Sequence, residues 1–276
     1  MLRVWPLRRD ALVLLTKGGV LLLIVWSALG VLYMWLLDDG PVGDADRSMV
    51  HWLVDRRTDG LDVLADIGSG LSDTVVKLVL LVVVGGAMVI TWRRWHDATF
   101  VATAVLFEAS VFVLASFIVG RERPSVVRLE PDAPSGSFPS GHAAAAVAFY
   151  GAVMIVGRWH TRNRAIRSAL IAIAIVVPIV VAVARVYLGM HHPLDVFSGT
   201  VLGVASLFVV HAAFTAGTAA VRAEAETEGT VLPACVTQLD CNPPDRREDP
   251  NDRAADDARR RLINATPTPD SSGRTP

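Results

Sequence analysis

Three short stretches hold the residues most capable of chemistry: "GRERPS" at 120–125, "SFPSGH" at 137–142 and "ARVYLGMHHPLD" at 184–195. They contribute Arg121 and Arg123, then Ser140, Gly141 and His142, then Arg185, His191 and Asp195. A guanidinium stays charged at any working pH, and its fork of donors matches paired phosphate oxygens. Ser140 and Gly141 stand directly before an apolar run, so they are predicted to open a helix. Free backbone N–H groups and the positive end of the helix dipole then face an anion, and a glycine there lets the backbone approach closely. Pro193 suits the first turn of the next helix, which puts Asp195 close behind His191. A carboxylate on one imidazole nitrogen leaves the other free to react. Each stretch alone is a weak signal. The reading rests on their conjunction, in order, each at the same end of a long apolar run.

Those runs are the elements that must position the cluster. The chain has 276 residues, is 52% hydrophobic and 19% charged, and has a mean hydropathy of +0.44. That is too apolar for an ordinary soluble domain. The formal net charge of −1 supplies no bulk field for nucleic acid, and no nucleic-acid partner is expected. Six apolar runs cover 18–37, 75–92, 98–119, 141–157, 168–188 and 194–216, each close to the ~20 residues that cross a ~30 Å hydrocarbon core. The first is too long for a signal-peptide core and lacks a following small-residue cleavage pattern, so an uncleaved span is expected. Pro178 inside the fifth run predicts a kink. The expected fold is all-α, a six-transmembrane-helix bundle over residues 1–217.

Arginines set the expected orientation. Arg3, Arg8 and Arg9 precede the first span, Arg93 and Arg94 join the second to the third, and Arg158, Arg162, Arg164 and Arg167 join the fourth to the fifth. By the positive-inside rule these segments and both termini are cytoplasmic. The segment after the first span is acidic, with Asp38, Asp39, Asp44 and Asp46, and faces out with the three chemical stretches. The arginines at 121–128 break the charge rule on that outer face, and an anionic ligand explains them. Between residues 38 and 74, Asp62, Asp66, Ser69 and Asp73 fall on one helical face and Leu61, Leu64, Ile67 and Leu71 on the opposite one. This predicts an amphipathic interfacial helix, either a packing element or a cover for a lipid access route. Residues 218–276 are polar and charged and are expected to be a disordered cytoplasmic tail, with a short helix around 252–262. Cys235 and Cys241 fit neither a zinc nor a dithiol spacing.

The three stretches resemble the motifs of the type 2 phosphatidic acid phosphatase (PAP2) family, membrane relatives of vanadium haloperoxidases and bacterial acid phosphatases. That family carries Lys-x6-Arg-Pro, Pro-Ser-Gly-His and Ser-Arg-x5-His-x3-Asp, and the resemblance covers residues 75–216. It implies that Arg123 and Arg185 bind phosphate oxygens, with Ser140 and the Gly141 amide as further donors. It implies His142 as the general acid for the leaving alkoxide, His191 as the nucleophile that forms a phosphohistidine, and Asp195 as the group that holds that imidazole. Two positions depart from the pattern. Ser116 stands where the lysine belongs, and Ala184 replaces the serine. Arg121, or else Arg128, is the candidate substitute for the lost cation. Neither a cofactor nor a metal is expected, because an arginine-lined pocket repels divalent cations.

The resemblance therefore implies a phosphatase in the cell membrane, acting on a lipid phosphate or polyprenyl pyrophosphate at the outer leaflet. Two alternatives remain at this point. One is a lipid phosphotransferase that resolves the phosphohistidine with an alcohol. The other is a binder or transporter without turnover, which Ser116 favours. Glu108, in the middle of the third span, is expected to be protonated or paired inside the bundle.

Overall fold

The computed structural model describes residues 8–131 and 134–227. The disorder expected of the distal tail, the helix expected at 252–262 and both cysteines lie outside the described residues. Within them the chain forms α1 (Arg9–Leu36), α2 (Pro41–Val54), α3 (Asp59–Gly70), α4 (Thr74–Trp92), α5 (Trp95–Val119), α6 (Gly141–His160), α7 (Arg164–Tyr187) and α8 (Pro193–Thr227), with no strand among the described residues. Six of these, α1 and α4 to α8, are long and apolar enough to cross a membrane, matching the six predicted runs.

Local signals set the ends. The Asp73 carboxylate accepts the Val75 N–H at 2.8 Å and opens α4, and Asn163 accepts the Ala165 and Ile166 N–H groups at 2.9 and 3.3 Å to open α7. These side chains satisfy amides that a helix start leaves without partners. At the end of α5, Gly120 turns left-handed at φ 61° and donates its N–H to the Ser116 carbonyl at 3.0 Å, a closure that glycine adopts without steric cost. α7 runs unbroken through Pro178. α8 continues to Thr227, past the boundary expected at residue 217. The sequence "GTAAVRAEAET" explains this, because its alanines and glutamates favour helix even where they are too polar for hydrocarbon.

α6 is the central element, packed by α5, α7 and α8. Ala143, Ala144, Ala145 and Ala146 are at most 2% exposed. Along α8 the facing residues are glycines. A methyl added at Gly203 would lie 2.5 Å from the Ala144 carbonyl oxygen, and one at Gly199 would lie 2.2 Å from that of Ser140. In hydrocarbon, helices associate through close packing of this kind, because lipid offers no solvent-driven push. α4, by contrast, leans on α5, and it meets α6 through side chains, with the Trp92 ring stacked on His160 at 4.0 Å.

The segment before α4 folds into two helices where one was predicted. In α3, Leu61, Leu64 and Ile67 point outward, while Ala65, Gly68 and Ser69 are buried. A methyl on Gly68 would meet Val180 at 3.1 Å and Ala184 at 3.3 Å, so α3 packs on α7 through its smallest residues. The predicted polar face is therefore divided. Ser69 turns inward, Asp62 accepts the Tyr187 hydroxyl at 2.7 Å, and Asp73 caps α4.

Candidate active site

The cluster forms at one end of the bundle, where α1, α6, α7 and α8 meet α2, α3 and the 120–140 loop. α7 delivers Arg185 in its last turn. Gly189, at φ 75°, reverses the chain, and His191 and His192 follow before α8 opens at Pro193. Asp195 sits in the first turn of α8, and its Oδ2 accepts the His192 backbone N–H at 2.9 Å. That is the reciprocal half of a capping box, which satisfies an amide at the helix entrance. The Ser140 N–H donates to the Asp195 carbonyl at 2.9 Å, tying the start of α6 to the start of α8.

His191 is 3% exposed. Its Nδ1 meets the Ser137 carbonyl oxygen at 2.8 Å and stands 4.0 Å from Asp195 Oδ2. A carbonyl can only accept, so Nδ1 carries the proton and Nε2 presents its lone pair. The nearer orienting group is thus a backbone carbonyl, where the sequence pattern suggested the carboxylate. Asp195 is engaged elsewhere, by Arg121 Nη1 at 2.5 Å, by the Ser137 hydroxyl and by His192 Nδ1 at 3.2 Å. Burial first, and the Arg185 charge next, hold the His191 imidazole well below its ordinary pKa. Both disfavour the charged ring, so it is neutral at pH 7.

Arg121 lies behind the cluster. It is 4% exposed, and besides Asp195 it donates from Nη2 to Asp46 at 2.9 Å, the Tyr33 hydroxyl at 2.9 Å and Asp38 at 3.2 Å. Burial alone would lower its pKa, but the Asp195 and Asp46 carboxylates outweigh that and hold it above the ordinary value. Its donors are committed to carboxylates, so it does not replace the missing motif lysine at an open phosphate pocket. Ser116 does not either: its hydroxyl donates to the Val113 carbonyl at 2.9 Å within α5. Asp46 also accepts the Leu194 N–H at 2.9 Å. α2 is therefore fastened to the head of α8 through the carboxylate that holds Arg121.

The remaining predicted residues line the other side. Arg185 is 2% exposed and donates from Nη1 to the Ser69 hydroxyl at 2.8 Å and to the Glu130 carboxylate. Arg123 donates to the Met190 carbonyl at 2.7 Å. Ser140 is fully buried, and its Oγ has no hydrogen-bond partner among the described residues, as has Arg185 Nε. Ser140 is the N-cap of α6 without a side-chain capping bond, which leaves the first amides of α6 available to an anion. Gly141 is required for packing as well: a Cβ there would lie 2.5 Å from the Phe112 ring. His142 follows it, its carbonyl anchored by the Ser72 hydroxyl at 2.8 Å. The charges acting on its ring include Arg185, Lys77, Asp73 and Arg123. Glu108 lies apart in α5, fully buried.

Residues 97–218 match the family model of the PAP2 superfamily. Over that segment the chain is similar to the PAP2 superfamily. The match spans all three chemical stretches, from the end of α5 to the head of α8. Among solved structures, the PAP2-type phosphatidylglycerolphosphate phosphatase of Bacillus subtilis superposes with a TM-score of 0.59 at 22% identity, covering 74% of this chain and 96% of that one. LpxE of Aquifex aeolicus aligns with a TM-score of 0.45 at 22% identity over 59% of this chain and 92% of its own. No curated protein matches by sequence. Tyr33, Asp46, Ser69, Glu130 and Ser137 complete the cluster, and of these only Ser137 falls within one of the three chemical stretches. They come from α1, α2, α3 and the 120–140 loop, and only the tertiary fold brings them together.

Proposed function

We propose that this chain is a membrane phosphatase that hydrolyses a lipid phosphate or polyprenyl pyrophosphate at the outer leaflet of the cell membrane, through a phosphohistidine. The observation that carries the reading is the His191 ring. It is buried, neutral and anchored through Nδ1 to the Ser137 carbonyl, which leaves Nε2 to attack, with the Arg185 and Arg123 charges close enough to act on the ring.

In the first step His191 Nε2 forms a bond to phosphorus as the bond to the leaving oxygen breaks. His142 gives its proton to that oxygen, and the lipid alcohol or monophosphate departs. In the second step a water gives its proton to His142 and attacks phosphorus, the P–N bond breaks, and inorganic phosphate is released. Phosphoryl transfer depends mostly on positioning and charge stabilisation. Arg185, Arg123, the Ser140 hydroxyl and the first amides of α6 supply both. Asp195 and Arg121 are positioning residues. They touch no reacting atom and lock the His191–His192 turn against α1 and α2.

A lipid-phosphate binder without turnover is the second reading, favoured by one observation: neither Ser116 nor Arg121 offers the cation that the motif lysine would supply. One assay separates the two. Purified protein is expected to release phosphate from phosphatidic acid, phosphatidylglycerol phosphate or a polyprenyl diphosphate, and His191→Ala is expected to abolish release. Wild-type binding with no release on any of these lipids selects the binder, and full release by His191→Ala removes the proposed nucleophile.

A further inference from the structure

Arg185, the best-buried cation of the pocket, is already holding an anion. Its Nη1 donates to Glu130 and to Ser69, with Nε left over. A carboxylate on a guanidinium occupies the same donor fork that phosphoryl oxygens use. Glu130 is delivered by a strap. The Leu129 N–H donates to the Leu188 carbonyl at 3.2 Å, and Arg57 bridges the Val127 carbonyl at 2.6 Å and the Tyr187 carbonyl at 2.7 Å. Residues 127–130 are thereby laced to the end of α7, just beyond Arg185. The Glu130 side chain is 22% exposed against 2% for Arg185. Glu130 has a route to water, and Arg185 does not.

We propose that Glu130 is a specificity-determining competitor for the phosphate subsite. It neutralises Arg185 in the unliganded site, swings out to water when a phosphoryl group binds, and returns as phosphate leaves. This rests on reading the cluster as a phosphate pocket. A buried guanidinium without a counter-anion is costly, so Glu130 stabilises the resting site, and an incoming ligand must outbid it. A dianionic phosphomonoester or a diphosphate terminus does so. A monoanionic phosphodiester does not, and phosphodiesters are the headgroups that crowd any phospholipid surface. Glu130 thus keeps the bulk bilayer lipids off Arg185.

The test is calorimetric titration of wild type, Glu130→Gln, Glu130→Asp and Arg185→Ala in detergent, at about pH 8 where phosphate is a dianion. Inorganic phosphate and the monoanion dimethyl phosphate are the probes. Glu130→Gln is expected to bind inorganic phosphate about tenfold tighter, the scale of one charge-assisted hydrogen bond. Its preference for phosphate over dimethyl phosphate should narrow. Glu130→Asp is expected to stay closer to wild type, and Arg185→Ala to lose both ligands. Weaker or unchanged phosphate binding in Glu130→Gln overturns the proposal, since a residue that merely buttresses Arg185 would weaken binding when removed. If the variants bind as expected but wild type releases no phosphate from lipids, the phosphatase reading fails and the competitor stands. If lipid phosphate is released and Glu130→Gln binds no tighter, the competitor fails alone. Binding by none of the four overturns both.

Discussion

The Nδ1 of His191 is held by the Ser137 carbonyl at 2.8 Å while Asp195 stands back at 4.0 Å, so the carbonyl fixes one tautomer, and the pull of Asp195 toward a second proton is outweighed by burial and by Arg185. Burial, then Arg185, pushes its pKa well below the ordinary 6.5. The sign of the linked stability follows. Between the lowered native value and 6.5 the unfolded chain binds a proton that the native ring refuses, so stability is complete above about 6.5 and falls as pH drops below it. Thermal denaturation in detergent between pH 7 and pH 5 should therefore show a steeper acid loss for wild type than for His191→Asn. Equal slopes would mean that the ring takes its proton as freely in the native state as in the unfolded one. Arg121 illustrates the limit of spacing alone. Its place in "GRERPS" suggested a phosphate ligand, yet Asp195, Asp46 and Asp38 take its donors. Two of those carboxylates come from the acidic segment after α1, whose meeting with residue 121 depends on how α1 and α2 pack.

Between elements, the α6–α8 seam sets the tolerance of the site. At Gly203 the nearest obstacle is the Ala144 carbonyl oxygen, 2.5 Å from a new Cβ, and a backbone atom cannot rotate away. Gly203→Leu is expected to separate the helices and destabilise the protein by about 1–3 kcal/mol or more, the range for overpacking. Gly86→Leu in α4, where a Cβ meets nothing within 4 Å, is expected to leave the melting temperature almost unchanged. Equal effects of the two would refute the seam. The spans themselves were legible because hydrocarbon demands about 20 apolar residues whatever their neighbours. The Pro-Ser-Gly-His and Arg-x5-His-x3-Asp stretches were legible because a helix entrance and the short turn from α7 into α8 hold their members at fixed offsets. Tyr33, Ser69 and Glu130 were not, since they join from separate elements with no mutual spacing, and Ser137 lay inside a legible stretch without its carbonyl's role being visible. The outer helices were half legible: the alternation at 61–71 marked a helix, but small residues, not the leucines, turned out to face the bundle.

For the molecule as a whole, the start of α1 and the end of α8 meet in the Arg8–Glu224 ion pair, and the arginine-bearing turns at 93–94 and 158–167 lie at the end of the bundle away from the cluster. With Cys235 and Cys241 replaced by serine, Ser125→Cys is expected to react with a membrane-impermeant thiol reagent in intact cells. Arg162→Cys is expected to react only after permeabilisation. The reverse pattern would turn the protein over and put the chemistry on the cytoplasmic leaflet.

Gly199 carries a mechanical corollary. With 2.2 Å between its absent methyl and the Ser140 carbonyl, and with the Ser140 N–H on the Asp195 carbonyl, the mouth of α6 and the head of α8 form one rigid joint. The two sides of the proposed phosphate cradle are thereby tied backbone to backbone. The backbone of α4 keeps its distance from those of α6 and α7, which it meets through side chains such as Trp92 on His160, so a crosslink from α4 to α7 should slow turnover on long-tailed lipids more than on a short soluble phosphate ester.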